Sequence, residues 1–206
     1  MRKKTHEESL KTRQAILDSA MRLFSRRGFE RTSLSDIAKY AGVTRGAIYW
    51  HFEDKGHILV ELCESIAQEN HLKEKMDRAA SPEEVDPLGR LREWLLSCGD
   101  EASIRFYCSA VFALIENIWA GTSGDEATRN RIIKFYEQRR GDIREALKNA
   151  VRKKQLRPGA DIDLAEDCIT MFLCGFVDII RLGGNDKLTK HYKVLVNRVI
   201  DDLMTL

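Results

Sequence analysis

Proline is scarce in this 206-residue chain, with three in all, and none lies inside a periodic segment. No stretch alternates β-branched and polar residues as a half-buried strand would, so an all-α fold is expected. Long apolar runs are missing too. Nothing approaches the roughly 18 to 20 residues a membrane span needs. The charged start MRKKTHEESLK leads into no signal-peptide core, so a cytoplasmic protein without a membrane partner is expected. The five cysteines (63, 98, 108, 168, 174) are odd in number and contain no CxxC. That argues against a disulfide framework or a zinc site. Reduced core thiols are one reading, and a redox sensor with an exposed, low-pKa thiol is the other. Catalytic signatures are absent: there is no GxSxG, HExxH, phosphate-binding loop or paired-carboxylate spacing. The histidines at 6, 51, 57, 71 and 191 make no ligand set. Neither an enzyme nor a metal or other cofactor is expected.

What is present is 43% hydrophobic and 32% charged residue, the balance of a folded globular protein and not of a disordered one. The length fits one large domain, or a small one joined to a medium one. Charge is distributed unevenly. Residues 1–60 carry 12 Lys and Arg against 7 Asp and Glu, a net of +5. The remaining 146 carry 22 against 25, a net of −3, which leaves the chain at +2. A basic first quarter on a mildly acidic body suits contact with a polyanion.

Periodicity predicts about nine helices. The first spans residues 8–27, with Ile16, Ala20, Leu23 and Phe24 inward and Gly28 as its stop. The second begins at SLSD, where Ser33 and Asp36 form a capping-box pattern; Ile37, Ala38 and Ala41 face inward and Gly42 ends it. The third spans 45–51 behind Thr44, a good N-cap. Asp54 caps a fourth helix running to about residue 77, and RAASPEEVDP follows as a polar connector. Five further helices are expected near 86–98, 101–120, 125–155, 162–182 and 187–204. The expected division is 1–54 for a small N-terminal domain and 55–206 for a helical bundle.

Two short helices around a glycine turn, behind a longer helix and within a basic segment, describe a helix-turn-helix. Its second helix would enter the DNA major groove N-terminus first. In GVTRGAIYWHFEDK, residues 42–55, Ile48 and Phe52 are spaced to pack inward, while Arg45 and Tyr49 face outward. Arg45 leads, where its fork suits guanine O6 and N7. Gly46 and Ala47 keep that end narrow. Tyr49 and His51 suit phosphate oxygens, as do Lys55 at the start of the fourth helix and Thr32 and Ser33 at the start of the second. Trp50 is expected to be a packing residue. An enzyme and a helical interaction module without DNA are the competing classes, and no motif supports either.

The last two helices carry long apolar stripes: Leu164, Cys168, Met171, Phe172, Gly175, Ile179 and Leu182 on one, Leu188, Tyr192, Leu195, Val196, Val199 and Leu203 on the other. These either close the bundle's own core or form half of a four-helix dimer seam, and the seam is the expectation.

The stretch RTSLSDIAKYAGVTRGAIYWHFEDK resembles the DNA-binding signature of the TetR family of bacterial transcriptional regulators, and GVTRGAIYWHF is most similar to its AcrR-like branch of multidrug-efflux repressors. The resemblance covers roughly residues 10–60. It implies a homodimer whose N-terminal domains bind successive major grooves of a palindromic double-stranded DNA operator. Arg45 and Ala47 would face bases, Thr44 and Gly46 border them, and Ser33, Tyr49, His51 and Lys55 face phosphates. Gly56 departs from the pattern, which usually has a polar helix former there. The family mechanism implies that a small-molecule effector enters the C-terminal bundle and moves the fourth helix. Trp94, Phe106, Phe112, Glu116, Asn117, Trp119 and Tyr136 are the candidate cavity wall. Glu116 would meet a cationic compound, or be satisfied by Arg105 or Arg129, the commoner arrangement. The expected function is repression of a multidrug efflux operon, with a response to cysteine oxidation or a metabolite, on other genes, as the alternative.

Overall fold

The computed structural model describes residues 6–69, 71–107, 109–121, 124–183 and 186–204. Eleven helices and no strand occur among them. They are α1 (His6–Arg27), α2 (Leu34–Ala41), α3 (Arg45–His51), α4 (Lys55–Glu69), α5 (Leu72–Ala80), α6 (Pro87–Cys98), α7 (Glu101–Tyr107), α8 (Ala110–Trp119), α9 (Glu126–Arg152), α10 (Ile162–Arg181) and α11 (Asp186–Leu203). Residues 1–65 and 109–135 form one compact unit, and residues 66–108 and 136–206 a second. The divisions therefore fall within α4, between α7 and α8, and within α9.

Two of the expected helices are each broken in two. The fourth ends at Glu69, and α5 starts after His71, which adopts a left-handed φ of 54°. The 101–120 segment divides into α7 and α8, and Ser109 caps α8 by accepting from Phe112 N at 3.2 Å. Neither break carries glycine or proline, the residues that signal one in a sequence.

The first unit is built on α1, whose Ile16, Leu17, Ala20, Leu23 and Phe24 are buried on one stripe. Gly28, at φ 82°, stops the helix, and its N–H donates to Phe24 O at 3.0 Å. Phe29 then turns back onto Phe24, ring centroids 5.2 Å apart. Ile37 and Ala38 of α2, Ile48 of α3, Phe52, and Ile58, Leu59 and Leu62 of α4 complete the core. Burying an aliphatic side chain of this size stabilises by about 1.5–3 kcal/mol. The short helices α2 and α3 thus depend on tertiary anchors more than on their own propensity. From α8 the unit also buries Phe112, Leu114, Ile115 and Ile118.

In the second unit α5 and α6 pair across a connector gathered around Glu84. That carboxylate accepts from Asp86 N and Val85 N and meets Arg78 and Arg90, which holds its pKa down to about 2. Pro87 is the first residue of α6, where its missing N–H costs nothing. Tyr192 of α11 donates to Leu95 O at 2.7 Å. Its ring lies so close to Gly99 that a Cβ there would be 2.1 Å from it. Between α9 and α10 the carboxylate of Glu166, 0% exposed, receives Arg140 at 2.7–2.9 Å, Arg144 at 2.9 Å and Thr170 at 2.6 Å.

Candidate nucleic-acid interface

Local chemistry fixes the helix-turn-helix within one residue of its expected bounds. Ser33 and Asp36 form both halves of the capping box, with Asp36 N donating to Ser33 Oγ at 3.1 Å and Ser33 N to Asp36 Oδ2 at 2.9 Å. The Ser33 hydroxyl also donates to Asp36 Oδ2 at 2.5 Å, and this bond, together with that from Ser33 N, holds the Asp36 pKa below its ordinary value. Gly42 ends α2 in the left-handed region, with φ 68°. Thr44 then caps α3, accepting from Ala47 N at 3.1 Å.

With both ends fixed, the seven residues of α3 divide by phase. Ile48 is buried, as is Phe52 at the C-cap. Thr44, Arg45, Gly46 and Tyr49 are exposed, and Ala47 is half-buried. Arg45 Nη2 donates to Tyr49 OH at 2.9 Å, and the guanidinium carbon stands 5.4 Å from the tyrosine ring centroid. This bond uses one of the five guanidinium donors, so the arginine is partly ordered before it meets any base. A Cβ at Gly46 would meet only Thr44 Oγ1, at 3.9 Å, which makes this end of the helix a narrow, approachable edge.

Trp50 is not a packing residue: it is 82% exposed. It stands two positions from Ile48, about 200° around an α-helix, and so on the face opposite the core. An indole standing open beside Tyr49 is the feature of this surface that sequence reasoning missed, although helical phase contained the signal. His51 is half-buried, its ring 6.2 Å from that of Phe52.

Two expected phosphate-facing residues lie inward. Thr32 is 1% exposed, and its hydroxyl donates to Gly28 O at 2.8 Å, which ties the turn after α1. Lys55 directs its ammonium to Phe29 O at 2.7 Å and over the Phe29 ring at 4.1 Å. Desolvation lowers the Lys55 pKa, against the attraction of Glu30 and Asp125. The lysine is thus committed to the protein's own turn. Ser33 remains exposed at the head of α2.

The expected cavity residues divide between the two units. Phe112, half-buried Glu116 and exposed Asn117 belong to the first. Buried Trp94 and half-buried Tyr136 belong to the second. The side chains of Phe106 and Trp119 lie outside the described residues, as does Cys108. Arg105 is paired with Glu101 at 2.6 Å.

The stripe on α10 divides as well. Ala165, Ile169, Phe176, Val177 and Ile180 are buried, while Leu164, Cys168, Met171, Gly175, Ile179 and Leu182 are exposed. The exposed set recurs at intervals of three or four residues along the helix. Phe172 stacks on Tyr192 at 5.6 Å. On α11 Leu195 is exposed and Val199 half-buried, next to buried Val196 and Ile200. No helix among the described residues is long and apolar enough to cross a membrane.

Residues 16–62 match the family model described as "Bacterial regulatory proteins, tetR family". The HTH-type transcriptional regulator AcrR of Shigella flexneri is 38% identical over 160 residues, spanning 76% of this chain and 72% of its own. The HTH-type transcriptional regulator TtgR of Pseudomonas putida is 38% identical over 174 residues, spanning 84% and 80%. Among solved structures, NalD, the secondary repressor of the MexAB-OprM multidrug efflux pump in Pseudomonas aeruginosa, superposes with a TM-score of 0.65. It has 25% sequence identity and covers 93% of this chain and 97% of that one.

Proposed function

Since the chain belongs to the tetR family of bacterial regulatory proteins and is a DNA-binding transcriptional regulator, we propose that it is the repressor of a multidrug efflux operon. A small apolar or cationic compound releases it from DNA. The observation that carries the reading is the division of α3: Ile48 and Phe52 hold it in the core while Arg45, Tyr49 and Trp50 stand open. The efflux target is argued from NalD, which represses such a pump.

Residues 1–54 read DNA, and residues 55–206 bind the effector and the second subunit. Arg45 and Ala47 meet base edges, with Thr44 and Gly46 at their border and Ser33, Tyr49 and His51 on phosphates. Trp50 joins the DNA face, and Thr32 and Lys55 support it from inside. The uncovered apolar stripe of α10, with Leu195 and Val199 of α11, pairs with its copy about a two-fold axis. Two α3 helices then meet major-groove sites about 34 Å apart.

The effector acts through the aromatic and polar residues Trp94, Phe106, Phe112, Glu116, Asn117, Trp119 and Tyr136. Release requires it to bind the DNA-incompetent form more tightly than the DNA-bound one. A second reading has oxidation as the signal: Cys168 and Cys174 are exposed, although burial pushes the Cys174 thiol pKa up and so against thiolate formation.

Selection from a random duplex library tests the proposal. The chain should enrich a palindrome with half-sites about one helical turn apart, with salt-sensitive affinity. Cationic or neutral apolar compounds should release it. Peroxide release without compound release would favour the cysteine reading, and no enriched sequence would sink both.

A further inference from the structure

Gly56, where the recognition segment departs from the family pattern, is explained by what stands beside it. A Cβ there would lie 2.8 Å from Thr128 Oγ1 and 3.1 Å from Thr128 Cα, so only glycine lets the start of α9 come this close. Thr128 is itself buried, and its N–H donates to Asp125 Oδ1 at 2.7 Å.

Three more contacts join the same stretches of the first unit. Arg131, three residues along α9, donates to Asp54 Oδ2 from Nη2 at 2.9 Å and from Nε at 3.2 Å, and pairs with Glu53. Gly124 N donates to Glu30 Oε1 at 2.5 Å. Lys55, fixed on Phe29, lies in the field of both Glu30 and Asp125. Asp54 is used twice, since its other oxygen caps α4 by accepting from His57 N at 2.7 Å. Residues 124–131 therefore grip the turn after α1 and the corner between α3 and α4. A helix of seven residues, held by Ile48, Phe52 and the residues that follow, takes its angle from those anchors.

We propose that Arg131, together with the Gly56–Thr128 contact, is a positioning element for DNA recognition: the start of α9 sets the angle of α3 by holding Glu53 and Asp54. This rests on the DNA-binding reading above and adds to it a control point outside the helix-turn-helix. Because α9 continues to Arg152, a ligand that displaces α9 acts on α3 through this clamp as well as through α4. Arg131 itself does not touch DNA.

The test uses the full chain, a labelled duplex selected by the wild type from a random library, and a scrambled duplex, titrated at several salt concentrations. Arg131→Ala should bind the selected duplex about tenfold more weakly, a coupling of ordinary size for contacting groups. Its slope of log affinity against log salt should not change. Glu53→Gln should also weaken binding, although it removes a negative charge beside a polyanion. The double variant should be no weaker than Arg131→Ala. Gly56→Ala, which alters no charge, should weaken binding in the same way. Glu53 is 72% exposed on its side chain, so its variant remains informative should Arg131→Ala fail to fold.

A slope reduced by about one per arginine removed would make Arg131 a phosphate contact and overturn the proposal. So would tighter binding by Glu53→Gln, or unchanged affinity in Arg131→Ala and Gly56→Ala. A wild type with no preferred duplex would sink the DNA-binding reading, and the clamp with it. Wild-type binding shared by every variant would sink the clamp alone.

Discussion

At the scale of single residues, the proposed recognition surface is decided by what each side chain of α3 is denied or granted. Ile48 and Phe52 were legible from spacing alone, because two apolar residues four apart on a short helix can only face one way. Trp50 obeys the same geometry, but size and hydrophobicity suggested a core role that its phase contradicts. Thr32 and Lys55 could not be read at all. The bond from Lys55 reaches a carbonyl 26 residues earlier in the chain, and sequence carries no mark of it. The contrast between neighbours can be measured. Trp50→Ala should leave the melting temperature nearly unchanged and lower DNA affinity, since its ring is open to solvent. Phe52→Ala should cost about 3–5 kcal/mol of unfolding free energy by denaturant titration.

At the scale of elements, caps were legible and contacts between distant helices were not. Ser33, Gly42 and Thr44 placed α2 and α3 because a cap is a local bond between residues a few positions apart. The breaks at His71 and Ser109 escaped because no helix breaker marks them. The Glu166 cluster escaped for another reason, since its partners Arg140 and Arg144 lie on a different helix. Burial raises the Glu166 pKa, but bonds from Arg140 and Thr170 and the two guanidinium charges outweigh it and bring the pKa below the ordinary 4.5. A depressed carboxylate stabilises the fold above its unfolded pKa and loses that contribution as pH falls through the folded one. Stability should therefore decline as pH is lowered below about 4.5, and Glu166→Gln should flatten part of that decline. The residual slope belongs to groups such as Glu84. At neutral pH Arg140→Ala should cost about 3 kcal/mol, because it strips a buried charge of its main partner. The cost should shrink in acid, where Glu166 can take up a proton instead.

At the scale of the whole molecule, the proposed function depends on two copies acting together. The sequence showed that α10 is apolar along its length; the structure adds which side is left uncovered. Met171, 73% exposed, lies in the middle of that stripe. Met171→Asp should leave the helical content intact and shift the chain to a monomer in analytical ultracentrifugation. Operator affinity should fall by about a hundredfold or more, because the second half-site then no longer binds at a high effective concentration. The expected effector site is the part least legible from sequence, since its candidate residues come from separate helices that divide between the two units.

The most direct measurement compares the wild type with Arg45→Ala on the selected duplex and on a scrambled one. Loss of a bidentate arginine–guanine contact should cost about 1–3 kcal/mol on the selected duplex. Binding to the scrambled duplex, the melting temperature and the dimer should be unaffected. If Arg45→Ala keeps the wild-type preference for the selected duplex, α3 does not read the sequence and the account fails at its centre.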